Sequence, residues 1–129
     1  MIELLEKPLR ANLITEWVGG FEKEAGYYKL IYISSPYANG DVAENIRKAC
    51  LAGNEILKKG HIPYIPHLTY LWHLITPKPK QEWLDIDLAL IPRMDALLRL
   101  PGESAGADKE VALAKCLNIP VYYSLDAIK

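Results

Sequence analysis

Apolar positions along this chain follow two spacings, one typical of buried strands and one typical of helices. Short apolar runs at 29–35, 61–66, 95–101 and 119–125 predict four strands. Between them, the stretches 42–57, 81–93 and 106–118 keep the 3.6-residue spacing of amphipathic helices. Asn39 or Asp41 can cap the first of these helices, and Gly60 ends it.

Strands that alternate with helices predict an α/β fold. We expect a three-layer, flavodoxin/Rossmann-like parallel sheet of four to five strands, with helices on both faces. Residues 1–28 mix several glycines with an amphipathic stretch, and this stretch predicts an amino-terminal helical extension packed on the domain or on a partner subunit. Residues 29–129 form the α/β domain, and the chain is too short for a second one.

Two loops of this predicted sheet are candidate ligand sites. In parallel sheets, ligands bind beyond the carboxyl ends of the strands, near the point where the strand order reverses. The segments "SSPYANG" (34–40) and "GESAGA" (102–107) follow two strands and offer small and hydroxyl residues beside a helix start. Such loops also end strands in proteins that bind nothing there, so this pattern alone leaves both interpretations open.

Helical geometry singles out two carboxylates. At 100° per residue, Glu110 falls on the apolar stripe with Ala107, Ala114 and Leu117. Asp87 likewise lies on the apolar face of its helix, whereas Asp85 shares the polar face. A buried carboxylate needs a partner or a ligand, and two that converge can perform acid, base and nucleophilic steps at a sugar carbon. The alternatives are a structural carboxylate that caps a backbone N–H, or a shifted helix register.

Charge and cysteine content narrow the class of protein. The formal net charge of −1 gives no basic field for a nucleic-acid polymer or a membrane surface. No apolar stretch approaches a membrane span, and no leader pattern opens the chain, so we expect a cytoplasmic protein. Neither the two cysteines nor the pair His67 and His73 have metal-ligand spacing, and His61 falls in a predicted strand. We therefore expect no metal site.

Four segments resemble the nucleoside 2-deoxyribosyltransferase superfamily, including its 2'-deoxynucleoside 5'-phosphate N-hydrolase branch. They are "IYISSPY" (31–37), "DLALIPRMD" (87–95), "SAGADKE" (104–110) and "VALAKCLNIPVYY" (111–123). The strongest is the third, in which a polar residue is followed two positions later by glycine and six positions later by glutamate. The resemblance covers about residues 29 to 124.

This resemblance implies three catalytic roles. Glu110 would be the nucleophile that attacks the anomeric carbon, Asp87 would manage the proton of the leaving base, and Tyr32 would support the nucleophile. The residues implied to contact substrate are Ser35, Pro36, Tyr37, His67, Ser104 and Gly106. The family often has a second glycine and a bulky residue where this chain has Asp108 and Lys109, and the phosphate-binding branch has an arginine after the first strand that is missing here.

The implied activity is cleavage of the N-glycosidic bond of a nucleoside or nucleotide, with 2'-deoxy sugar expected, through a covalent glycosyl-glutamate. Water or a second base would accept the sugar, so the enzyme would be an N-glycosidase or a deoxyribosyltransferase. The implied reaction needs no metal and no organic cofactor. Two alternatives stay open: a nucleotide or ADP-ribose-like ligand sensor, and a small interaction domain. Tyr70 and Trp72 in "HLTYLWHL" (67–74) are candidates for base contacts, for core, or for the interface of a homodimer or higher oligomer.

Overall fold

The computed structural model describes residues 28–129. The predicted helical extension, except for Tyr28, lies outside the described residues. Four parallel strands form one sheet in the order β2-β1-β3-β4. They are β1 (Leu30–Ser34), β2 (Ile62–Tyr64), β3 (Ala96–Arg99) and β4 (Val121–Tyr122). β2 lies on one side of β1 and β3 lies on the other. The strand order therefore reverses between β1 and β3.

Helices occupy the connections between the strands. They are α1 (Val42–Lys58), α2 (Tyr70–Ile75), α3 (Lys80–Leu90) and α4 (Ala105–Cys116), with 3-10 turns at Pro66–Thr69, Ile91–Arg93 and Leu125–Ala127. The predicted three-layer α/β architecture with a four-stranded parallel sheet is therefore confirmed.

The two faces of β1 carry different side chains to different layers. Ile31 and Ile33 pack with Ala49 and Ile56 of α1, in a core that also contains Ala52, Ala96, Leu98 and Ile128. Tyr32 faces the opposite side and packs with Leu97, Ile91 and Ala114. Side chains alternate between the faces of a strand, so the strand that builds the α1 core also presents Tyr32 and Ser34 to α4.

Local sequence explains where α1 begins and how closely it packs. The Asp41 carboxylate is the N-cap and accepts hydrogen bonds from the amides of Ala43, at 2.9 Å, and Glu44, at 3.4 Å. A Cβ atom on Gly53 would lie 2.7 Å from Cδ1 of Ile65, so the glycine allows the helix to approach the chain after β2.

Three details of the sequence interpretation were wrong. The helix predicted over 81–93 ends at Leu90 and continues as a 3-10 turn that contains Pro92, a residue with no N–H to donate. Leu117, predicted to face the sheet with Glu110, is 43% exposed because α4 ends at Cys116 and Asn118 takes a φ of 60°. His61 precedes β2 and its ring Nδ1 accepts from the amide of Lys29 at 3.0 Å.

None of the helices between residues 28 and 129 combines the length and the apolar character that crossing a membrane requires.

Candidate active site

A cavity of about 600 Å³ lies at the carboxyl ends of β1 and β3. This volume is within the range of small-molecule sites, roughly 300–1,000 Å³. Seven of the nine predicted site residues line this cavity: Ser35, Tyr37, His67, Asp87, Ser104, Gly106 and Glu110. The other two, Tyr32 and Pro36, do not line it.

Glu110 is held from β1 by two hydroxyl groups. The Tyr32 Oη donates to Oε2 of Glu110 at 2.7 Å, and the Ser34 Oγ donates to Oε1, also at 2.7 Å. Glu110 is 6% exposed, and Tyr32 and Ser34 are fully buried. Both carboxylate oxygens therefore have a fixed position at the cavity wall, because each has a donor that cannot exchange for solvent.

Opposing effects act on the ionisation of Glu110. Burial is the largest effect and raises its pKa overall, although the hydrogen bonds from Tyr32 and Ser34 and the charge of Arg99 lower it in part. Arg99 pairs with Ser34 in the β1–β3 register, and its Nη2 donates to the Gly102 carbonyl oxygen at 2.8 Å. The same environment raises the pKa of Tyr32 strongly, first through burial and then through the charge of Glu110, so the phenol remains a hydrogen-bond donor.

Asp87 is the second carboxyl group in the cavity. It is half-buried on α3, and burial followed by the charge of Glu110 raises its pKa to about 7. Burial thus raises the pKa of both carboxyl groups, but only Glu110 has hydroxyl donors that stabilise its charged form. Two carboxyl groups in different surroundings are typical of sites where one group donates a proton and the other carries negative charge.

Tyr37, in the loop after β1, and His67, in the 3-10 turn after β2, form another wall. His67 is 5% exposed, and its Nε2 lies 2.8 Å from the Pro36 carbonyl oxygen. Since a carbonyl only accepts, Nε2 carries the proton. The rings of Tyr37 and His67 meet edge to face with centroids 5.2 Å apart. Burial lowers the pKa of His67, although the bond to Pro36 opposes this shift.

Ser104 and Gly106 bring the start of α4 to the cavity. Ser104 is the N-cap, and its Oγ accepts from the Ala107 amide at 3.1 Å, a structural role that the sequence interpretation did not assign. A Cβ atom on Gly106 would meet nothing nearer than 4.0 Å, so the glycine leaves open space there. Asp108 lies on the outer face and pairs with Arg99 at 3.2 Å.

Several residues of the site were missed by sequence reasoning. Ser34 could have been found, because the two-residue period of β1 places it on the same face as Tyr32. His73, Lys78 and Trp83 form the wall contributed by the segment from α2 to α3. Of the aromatic candidates, Tyr70 packs against Tyr37 with centroids 6.4 Å apart, and Trp72 is 51% exposed; neither lines the cavity.

Within residues 28–129, no group of three or more His, Cys, Asp or Glu side chains is arranged to hold a metal ion.

The fold is shared with a protein of known activity. A solved structure of the 2-deoxyribosyltransferase from the psychrotolerant bacterium Bacillus psychrosaccharolyticus matches with a TM-score of 0.54 and 22% identity, over 71% of this chain and 69% of that chain. The likeness shows the class of fold, a three-layer α/β architecture. No curated protein matches the chain.

A family model also matches this chain. The model of the family described as "Domain of unknown function (DUF7768)" matches residues 29–124. The chain therefore belongs to this family, and the match spans every strand of the sheet and both carboxyl groups of the cavity.

Proposed function

We propose that this protein cleaves the N-glycosidic bond of a nucleoside or nucleotide, with 2-deoxyribose as the sugar. The observation that carries the proposal is the pair of carboxyl groups in one cavity, Glu110 with two hydroxyl donors and Asp87 with a pKa raised to about 7. The shared fold with a 2-deoxyribosyltransferase adds support.

In the first step, an Oε atom of ionised Glu110 attacks C1' of the sugar. The C1'–N bond breaks, its electron pair stays on the base nitrogen, and Asp87 in its protonated form delivers a proton to the base. Tyr32 and Ser34 act through Glu110 as positioning residues, because their hydroxyl groups fix both of its oxygens. The products are a glycosyl ester of Glu110 and the free base.

In the second step, water or a second base attacks C1' and the Glu110 carboxylate leaves. Asp87, now ionised, takes the proton of the attacking group, which returns both carboxyl groups to their starting states. Water gives hydrolysis, and a base gives deoxyribosyl transfer. The substrate-contacting set is Ser35, Tyr37, His67, Ser104 and Gly106 from the cavity wall, while Pro36 acts by orienting His67.

Release of free base tests the proposal. We expect Glu110→Gln to reduce base release by about a thousandfold or more, because a covalent nucleophile is removed. Glu103→Gln is the matched control, since Glu103 is an exposed glutamate seven residues earlier, in the loop before α4. Chromatography of reactions with a panel of ribo- and deoxyribonucleosides and their 5'-phosphates measures the product. Undiminished turnover by Glu110→Gln would refute the assignment.

The covalent intermediate has its own test. A 2'-fluoro substituent disfavours oxocarbenium-like character and slows both steps, so a 2'-fluoro nucleoside with a good leaving base is expected to label the protein. Intact-mass measurement and peptide mapping would place the sugar on Glu110. Addition of a second base then separates transfer from hydrolysis. Saturable ligand binding with neither base release nor labelling would instead favour a nucleotide sensor.

The oligomeric state and the cellular location are also proposals. Exposed apolar side chains on the short helix α2, at Leu71, Leu74 and Ile75, support a homodimer or higher oligomer. Two free cysteines, Cys50 and Cys116, support a reducing, cytoplasmic location. Analytical ultracentrifugation and cell fractionation test these two expectations.

A further inference from the structure

His73 is held between two N–H donors that come from the chain after it. The indole Nε1 of Trp83 lies 2.7 Å from Nδ1 of His73, and the backbone amide nitrogen of Lys78 lies 3.2 Å from the same atom. The rings of His73 and Trp83 meet at 69° with centroids 5.9 Å apart. The histidine therefore has a fixed orientation on the wall of the cavity.

These contacts determine which nitrogen of His73 carries the proton. An indole N–H and a peptide N–H can only donate, so Nδ1 must accept and is unprotonated. The proton of the neutral ring then sits on Nε2. Among residues 28–129 no group forms a hydrogen bond with this Nε2–H, and the ring belongs to a residue that borders the cavity.

The position of Trp83 relates His73 to the reacting atoms. Trp83 and Asp87 are four residues apart on α3, so they lie on one face of the helix, separated by a rise of about 6 Å. Both line the cavity. In the proposed reaction Asp87 serves the leaving base, and Trp83, which holds His73, lies about one helical turn from it. A base that leaves beside Asp87 thus extends toward the wall that carries His73.

We propose that His73 is a specificity-determining residue that donates a hydrogen bond from Nε2 to a lone-pair acceptor on the base, a ring nitrogen or a carbonyl oxygen. This inference rests on the proposed function. Trp83 and the Lys78 amide are the positioning groups, since they fix the tautomer. His67 completes the recognition with the opposite polarity, because its Nε2–H is used by Pro36 and only its Nδ1 lone pair remains for a donor on the ligand.

Substitution of His73 by asparagine or glutamine tests the roles of Nδ1 and Nε2 separately. In His73→Asn the amide oxygen stands near the position of Nδ1 and retains an acceptor for Trp83 and Lys78, but the reach to the Nε2 position is lost. In His73→Gln the longer amide returns a donor to that position. We expect His73→Asn to lower kcat/KM about tenfold on the preferred nucleoside, and His73→Gln to recover part of this loss.

Base analogues reveal whether the lost bond is the one proposed. The panel contains deaza analogues, in which C–H replaces one ring nitrogen, and deoxo analogues, in which C–H replaces one carbonyl. Wild-type protein is expected to lose about tenfold on the analogue that lacks the acceptor, whereas His73→Asn loses nothing further on it. His61→Asn is the control, because His61 precedes β2 at the amino end of the sheet and does not line the cavity.

Calorimetric binding of the same compounds keeps this inference distinct from the proposed function. If ligands bind with the expected discrimination but no base is released, the glycosidic activity is wrong and the assignment of His73 holds. If base is released but wild type and His73→Asn discriminate equally on every pair, the assignment of His73 is wrong. If nothing binds and nothing is cleaved, both are overturned.

Discussion

The raised pKa of Asp87 makes a prediction about stability that needs no substrate. In an unfolded chain this carboxyl group loses its proton near pH 3.8, whereas in the folded protein it keeps the proton up to about pH 7. Between these values the folded state binds more protons than the unfolded state, so this group lowers the free energy of unfolding as the pH rises. Asp87→Asn removes that effect and is expected to stabilise the protein at neutral and alkaline pH.

The size of the effect follows from the same two values. A rise from 3.8 to about 7 corresponds to about 4 kcal/mol of preference for the protonated form, at 1.36 kcal/mol per pH unit. Asp87 is half-buried and borders a cavity, so solvent screening reduces the expected gain to about 1–2 kcal/mol. For a domain of this size, that gain raises the Tm by about 4–8 °C.

Thermal denaturation at pH 4, 6 and 8.5 measures this prediction. The stability difference between Asp87→Asn and wild type should grow from pH 4 to pH 7 and then stay constant. Asp85→Asn is the control, since Asp85 is exposed on the same helix and accepts from Gln81 at 2.8 Å. A difference that is independent of pH would refute the view that burial and Glu110 hold Asp87 protonated.

Two further predictions concern the groups around the nucleophile. Tyr32→Phe removes one donor to Glu110, which should raise the pKa of Glu110 and move the acid limb of the kcat/KM profile to higher pH. Turnover at pH 6 should fall about tenfold. In the control Tyr122→Phe, a strand tyrosine that packs on the opposite face of the sheet, the acid limb and the turnover should stay unchanged. Gly102→Ala should cost about 2–3 kcal/mol in urea unfolding, because φ is +118° and its Cβ would lie 2.8 Å from Pro36; a loss no larger than that of Gly40→Ala, where φ is +90° but no atom lies within 4 Å, would contradict this clash.

The sequence predicts the elements of this fold because its helices and strands have clear spacings. The orientation of Glu110 follows from the same reasoning, since it is three residues after Ala107 and four before Ala114, which places all three on one buried face of the helix. The prediction for Leu117 fails because the spacing of apolar residues does not show where a helix ends. Leu117 lies just after the last helical residue, so it no longer shares the buried face of the helix.

The wall formed by His73 and Trp83 could not be predicted in the same way. It depends on how α2 and α3 fold back on each other across the loop that joins them, and the hydrogen bond spans ten residues. No spacing within either helix specifies that contact. Likewise, a pattern of apolar residues shows that a carboxylate faces inward but does not show which hydroxyl groups it meets, as with Ser34.

The anchoring of Glu110 to β1 has a consequence for local opening of the fold. β1 has a neighbouring strand on each side, so its amide protons are expected to exchange with deuterium only in the most extensive unfolding events. The short helix α2, which has no buried residue, is expected to exchange early. In the proposed reaction, local opening of α2 would therefore interrupt the contact of His73 with the base, while the carboxylate that attacks the sugar stays in place.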